Sequence, residues 1–116
     1  MTRVLVTDFD AIVGLGVREV LIEGGCDVIS SHQLLDRALI VEVRPDALVV
    51  DMDDHATVSR AEALVGDFPG MPLVECSSSI PLMRVFPGDG TGESFEVLLS
   101  AADLIQAVTR QPNKEN

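Results

Sequence analysis

Arg44-Pro45-Asp46-Ala47-Leu48-Val49-Val50-Asp51 is the stretch whose reading decides the fold. The Arg-Pro-Asp triplet stops any helix before it, because proline lacks an N–H and its ring clashes with the preceding turn. Ala47 to Val50 is then an unbroken apolar run. A half-exposed strand would alternate instead, so this run predicts a strand of a parallel sheet covered on both faces. It ends in carboxylates, at Asp51, Asp53 and Asp54.

Downstream, Val58, Ala61, Leu64 and Val65 keep the spacing of one helix face, Pro69-Gly70 breaks it, and Met71 to Cys76 predicts another strand, finishing in Ser77-Ser78-Ser79. Upstream, Arg3 to Thr7 predicts a first strand ending in Asp8-Phe9-Asp10. A helix from Ala11 to Glu23 follows, with Val13, Val17, Val20 and Leu21 inward, Asp10 as its cap and Gly24-Gly25 as its stop. Asp27 to Ser30 predicts the second strand. Ser30-Ser31-His32-Gln33 then resembles a capping box that opens a helix with Leu34, Leu35, Ala38 and Leu39 inward. Strands alternating with helices in this way predict a doubly wound α/β domain, whose ligands sit beyond the carboxyl ends of the strands.

Between Ile80 and Gly92 the rhythm breaks, because Pro81, Pro87, Gly88, Gly90 and Gly92 leave no room for a full helix, and an irregular crossover is expected. Phe95 to Leu99 predicts a fifth strand, with a single helix from Glu93 onward as the other register. Leu104, Ile105 and Val108 then mark the buried face of a last helix, Ala101 to Arg110. This organisation gives one domain over residues 1–110 and a polar tail or linker start over 111–116.

Composition narrows the function. The chain has 116 residues, and its 47% hydrophobic and 23% charged residues suit one soluble globular domain. No apolar run reaches the roughly 18 residues of a membrane span, and Asp8 follows the first apolar residues too soon for a secretory signal. A cytoplasmic protein is expected. Cys26 and Cys76 have no metal-like spacing and read as small core residues. A net charge of −11 repels phosphate backbones, and with no Trp or Tyr there is little to stack on bases, so the chain itself is not expected to bind DNA.

Two neighbouring strands that both end in Asp bring Asp8, Asp10, Asp51, Asp53 and Asp54 to one crevice, an acidic pocket of the kind that suits a hard cation such as Mg²⁺. Turns and helix caps use the same residue, and several of the five read as caps alone. His32 and His55 read as surface residues. Gly88-Asp-Gly-Thr-Gly92 lacks the Gly-Lys-Ser/Thr ending of a phosphate loop. A cobalamin-binding domain has the same architecture, but its Asp-x-His-x-x-Gly signature needs a His where Asp10 stands.

The opening Arg3-Val-Leu-Val-Thr-Asp8-Phe-Asp-Ala-Ile-Val-Gly-Leu-Gly-Val17 resembles the start of NarL/LuxR-type response-regulator receiver domains. Arg44 to Asp51 resembles their third strand, Met71-Pro-Leu-Val-Glu-Cys-Ser77 their fourth, and Ala101 to Arg110 their last helix. The resemblance spans nearly the whole chain. It implies a flavodoxin-like (CheY-like) doubly wound five-stranded parallel sheet, here with the fourth helix replaced by the Pro/Gly-rich segment. It makes Asp51 the phosphoacceptor-like residue, Ser77 the switch-like hydroxyl, and Asp8 with Asp51 the metal ligands. Phe9 falls where the second acid of the family's metal pair belongs, and a phenyl ring cannot coordinate Mg²⁺. The Lys that contacts the phosphoryl group in the family has no counterpart, since the only Lys is Lys114 in the tail.

The resemblance therefore implies a degenerate, or pseudo-, receiver of a two-component signal-transduction protein. It is expected to be no enzyme and to hold no cofactor, Mg²⁺ being disfavoured by Phe9. Its expected role is a homodimeric input module of an atypical transcription regulator, controlled without phosphorylation by a small molecule or a regulatory protein. Ile80, Leu82, Met83, Arg84, Val85 and Phe86 form the segment expected to meet that ligand or partner. DNA would be reached only through a C-terminal helix-turn-helix domain outside this chain. The other readings are a receiver still phosphorylated at Asp51 by a histidine kinase or small phosphodonor, with Asp10 or Asp53 replacing the missing ligand, and a stand-alone protein-interaction module.

Overall fold

A computed structural model of the chain describes residues 1–7, 9, 11–88 and 93–109. Its ten elements, in chain order, are β1 (Arg3–Val6), α1 (Ala11–Glu23), β2 (Asp27–Ser30), α2 (Arg37–Val43), β3 (Ala47–Asp51), α3 (His55–Asp67), β4 (Leu73–Cys76), β5 (Leu82–Phe86), β6 (Phe95–Leu98) and α4 (Ala101–Thr109). The strands form one six-stranded sheet in the order β2-β1-β3-β4-β5-β6. β1 pairs parallel with β2 and β3, and β3 pairs parallel with β4. β5 runs antiparallel to both of its neighbours, so β6 points the same way as β1 to β4.

The expected five-stranded parallel sheet is thus corrected to a six-stranded mixed one. All five expected strands are present, but the segment read as an irregular crossover supplies a sixth, inserted between the fourth strand and the last. Pro81 and Pro87 do exclude a helix there. The five residues between them make a strand instead, since Met83 and Val85 are buried at 0% and 3% exposure while Leu82, Arg84 and Phe86 alternate to the other side. Pro81 stays in the hydrogen-bond network through its carbonyl, which accepts the Leu99 N–H at 2.9 Å.

Each sheet face has its own core. Val4, Val6, Val49, Val74, Cys76, Met83 and Val85 meet Val17 and Leu21 of α1 and Leu104 and Val108 of α4. On the opposite face Leu5, Leu48, Val50 and Leu73 meet Leu39 and Ile40 of α2 and Ala61 and Leu64 of α3. The central strand β3 contributes to both, as its unbroken apolar run requires. No helix among the described residues is long and apolar enough to cross a membrane.

The start of α2 differs from the expected capping box. Asp36 is the cap, its Oδ1 accepting the Leu39 N–H at 2.9 Å, while Ser31 Oγ accepts the Gln33 N–H at 3.0 Å in a local turn. A carboxylate is the stronger acceptor for the unpaired amides of a first turn, so the cap stands at Asp36 rather than Ser30, six residues later. Leu35 is still buried, but Leu34 is 59% exposed. α2 ends as expected at Arg44, which takes the left-handed conformation (φ 55°) and donates its N–H to the Ile40 carbonyl.

Candidate functional site

At the carboxyl ends of β3 and β4 the chain builds a polar cluster. Asp51 is the last residue of β3 and lies beside Cys76 of β4 in register. Past Asp51 the strand turns tightly: Asp51 Oδ1 accepts the Asp53 N–H at 2.9 Å, and the Asp51 carbonyl accepts the Asp54 N–H at 3.1 Å. Asp54 serves as the cap of α3, its Oδ1 accepting the Thr57 N–H at 3.3 Å and its Oδ2 the Thr57 hydroxyl at 2.7 Å. Its carboxylate is therefore engaged by the helix start rather than by the other acids.

Asp53 reaches across to the loop after β4. Its Oδ2 accepts the Ser78 N–H at 3.0 Å and the Ser78 hydroxyl at 2.8 Å, with the Ser77 and Ser79 hydroxyls each at 3.4 Å. The Ser78 hydroxyl, foremost among these donors, holds the Asp53 carboxyl below the ordinary aspartate value. Such a shift favours the latched state above pH 3.8, and that contribution is lost as pH falls through the lowered value.

Ser77, buried where β4 ends, organises the same loop from within. Its Oγ accepts the Ser79 and Ile80 N–H groups at 3.1 and 3.2 Å. The loop after β3 and the loop after β4 are thus held together by one carboxylate and three consecutive serines. Beneath them, burial and then the neighbouring Asp51 charge push the Cys76 thiol up to about 12, which leaves it protonated and unreactive. Cys26 and Cys76 are both free and buried.

The remaining expected site residues divide. Asp8 and Asp10 lie outside the described residues, as does the tail beyond Thr109. Phe9 is half-buried and packs against the core on the α1 and α4 side, the place a phenyl ring gains most. Of the segment expected to meet a ligand or partner, Met83 and Val85 lie within that same core, whereas Leu82, Arg84 and Phe86 point to the opposite face and Ile80 is exposed in the loop. Among the described residues no three His, Cys, Asp or Glu side chains gather closely enough to hold a metal ion.

Sequence reasoning missed a second polar arrangement, across β4, β5 and β6. Glu75, fully buried in β4, lies opposite Arg84 of β5, which lies opposite Glu96 of β6. Arg84 binds Glu96 Oε2 through Nη2 at 2.8 Å and Nε at 3.2 Å, and reaches Glu75 Oε1 only at 3.4 Å. Among the described residues no donor reaches Glu75 Oε2, and the group beside Glu75 is the Glu62 carboxyl of α3. The three residues are plain in the sequence, but only the pairing of β5 with β4 and β6 brings Glu75, Arg84 and Glu96 into one row across the sheet. In comparisons with family models, curated proteins and solved structures, the chain matches none.

Proposed function

We propose that the chain is a flavodoxin-like pseudo-receiver, a signal-input and dimerisation module of a transcription regulator that works without phosphorylation. The observation that carries this reading is Asp53, which takes the hydroxyls of Ser77, Ser78 and Ser79 together with the Ser78 N–H. A phosphoryl group on Asp51 would bring about two further negative charges into a crevice whose nearest donors already serve a carboxylate. Phe9, turned into the core, offers no acid in compensation. The strand order β2-β1-β3-β4 supports the flavodoxin-like assignment. In this chain β6 keeps the direction of a fifth parallel strand but stands one place further out, displaced by β5.

The dimer of this reading forms along the outer sides of α1 and α4, which pack side by side. Leu15 and Ile22, seven residues apart on α1 and 52% and 60% exposed, supply an apolar pair on that side. Sedimentation with and without Mg²⁺ and a small phosphodonor tests both parts. The expected result is a dimer unaffected by the phosphodonor and lost in a Leu15→Glu, Ile22→Glu double variant. A dimer that forms only with the phosphodonor, or one that survives the double variant, overturns the reading.

A further inference from the structure

Glu62, Glu75, Arg84 and Glu96 form one row of three carboxyls and a single guanidinium. Glu75 points to the α2 and α3 side of the sheet, as Leu73 two residues before it does, and it is fully buried. The elements around it differ in what they offer. β3 places the apolar Val50 opposite, β5 places Arg84, and α3 places the exposed Glu62 beside it. On the other face α4 presents only Leu104 and Val108 to the core, and Glu96 of β6 is linked to Glu75 through Arg84.

Arg84 divides itself unequally between its two acids. It gives Glu96 two contacts, at 2.8 and 3.2 Å, and Glu75 one at 3.4 Å. Because no donor among the described residues reaches Glu75 Oε2, that oxygen is served only when the carboxyl itself carries a proton and donates it to Glu62. Burial, and next the Glu62 carboxyl, push Glu75 up to about 8, which agrees. The row then has two arrangements. With the proton, the Glu75 O–H ties β4 to α3, while Arg84 stays on Glu96 and ties β5 to β6. Without it, a buried carboxylate faces a second acid and requires a cation. Arg84 already stands 3.4 Å away; turning fully to Glu75 takes it off Glu96, and Glu62 is repelled outward.

We infer that Glu62, Glu75, Arg84 and Glu96 form a proton-operated catch, in which loss of one proton from the Glu62–Glu75 pair draws Arg84 from Glu96 to Glu75 and loosens both α3 and the edge strand β6. The catch uses neither Asp53 nor the serines, and it works whether or not Asp51 takes a phosphoryl group.

The test follows the side-chain carboxyl carbons and backbone amides of the whole chain by nuclear magnetic resonance as pH is raised from about 5 to about 9.5. The Glu75 carboxyl is expected to titrate near pH 8, and the amides of Glu62, Glu96 and Leu98 to move with the same midpoint. Glu75→Gln, whose amide donates to Glu62 at every pH, should hold those three amides at their low-pH positions throughout. Glu62→Gln offers Glu75 a donor in place of an acid, and Glu96→Gln frees Arg84 for it. Each should lower the Glu75 midpoint by about one pH unit, a tenfold loss of proton affinity. A Glu75 carboxyl that titrates below about pH 6, a midpoint unmoved by either substitution, or β6 amides that stay fixed while Glu75 titrates would each overturn the proposal.

Discussion

Glu75→Gln is expected to stabilise the protein above neutral pH by roughly 2–5 kcal/mol and to remove the loss of stability that this carboxyl is expected to cause between pH 4.5 and 8. Glu75 is fully buried, no donor among the described residues reaches one of its carboxylate oxygens, and the other meets Arg84 at 3.4 Å. Arg84 is half-exposed and holds Glu96 at 2.8 Å, so it offsets little of the cost of burying a second charge. Burial, and next the Glu62 carboxyl beside it, push the Glu75 carboxyl up to about 8.

The sign follows from which state binds the proton more tightly. Because the folded-state value lies above the ordinary 4.5, stability from this group is complete below pH 4.5, falls as pH rises, and levels off past about 8. Glutamine keeps the volume and the hydrogen-bonding oxygen but cannot ionise. Urea unfolding at pH 4.5 should therefore find parent and variant within about 1 kcal/mol, and at pH 8.5 should find the variant more stable, with Tm higher by on the order of 10 °C. A variant no more stable than the parent at pH 8.5 would show that Glu75 is charged and well paired.

Gly88→Ala should cost a comparable amount in the opposite direction, roughly 2–4 kcal/mol. Gly88 follows β5 and has φ +78°, which L side chains rarely adopt, and a Cβ there would stand 2.9 Å from the Met71 carbonyl carbon and 3.0 Å from the Pro72 nitrogen. Both are backbone atoms, so neither can rotate away. The same stretch is tied down on either side: the Gly88 carbonyl accepts the Gly70 N–H at 3.0 Å, and the Pro72 carbonyl accepts the Leu48 N–H at 2.9 Å. Displacing Met71 and Pro72 thus strains the β3–β4 pairing at the centre of the sheet. Gly66→Ala is the control, since nothing lies within 4 Å of its Cβ on α3; it should raise stability by about 0.5–1 kcal/mol. A Gly88→Ala midpoint in urea equal to that of the parent would contradict the close approach.

These two positions also mark where the sequence is hard to read. The strand–helix units up to Cys76 are legible because their local signals agree: unbroken apolar runs such as Ala47 to Val50, helical spacing in α3, and breakers at Arg44-Pro45 and Pro69-Gly70. β5 is hidden because Pro81, Pro87 and Gly88 carry a clear signal against helix and none for a strand. A strand of five residues fits between two prolines without losing any hydrogen bond that it needs. Its direction was equally hidden, since antiparallel insertion depends on pairing with β4 rather than on local pattern.

At the crevice, the sequence placed Asp51, Asp53 and Ser77 at neighbouring strand ends, and the structure brings Asp53 onto the serines. What it could not show was that Asp54 is used as a helix cap while Asp53 is used as a latch. The two are adjacent and identical in type, and only the turn after β3 decides which one points across. Glu75 was illegible for a related reason: within Leu73-Val-Glu-Cys a single acid reads as a surface position, yet it is fully buried, with Glu62 of α3 beside it.

The central claim, that the crevice does not take a phosphoryl group, is tested most directly by intact mass. The purified chain is incubated with Mg²⁺ and a small-molecule phosphodonor, with an Asp51→Asn variant treated in parallel. The account predicts the unmodified mass for both. A phosphoryl adduct on the parent that is absent from Asp51→Asn would contradict it, and would mean that the serines exchange Asp53 for the phosphoryl oxygens.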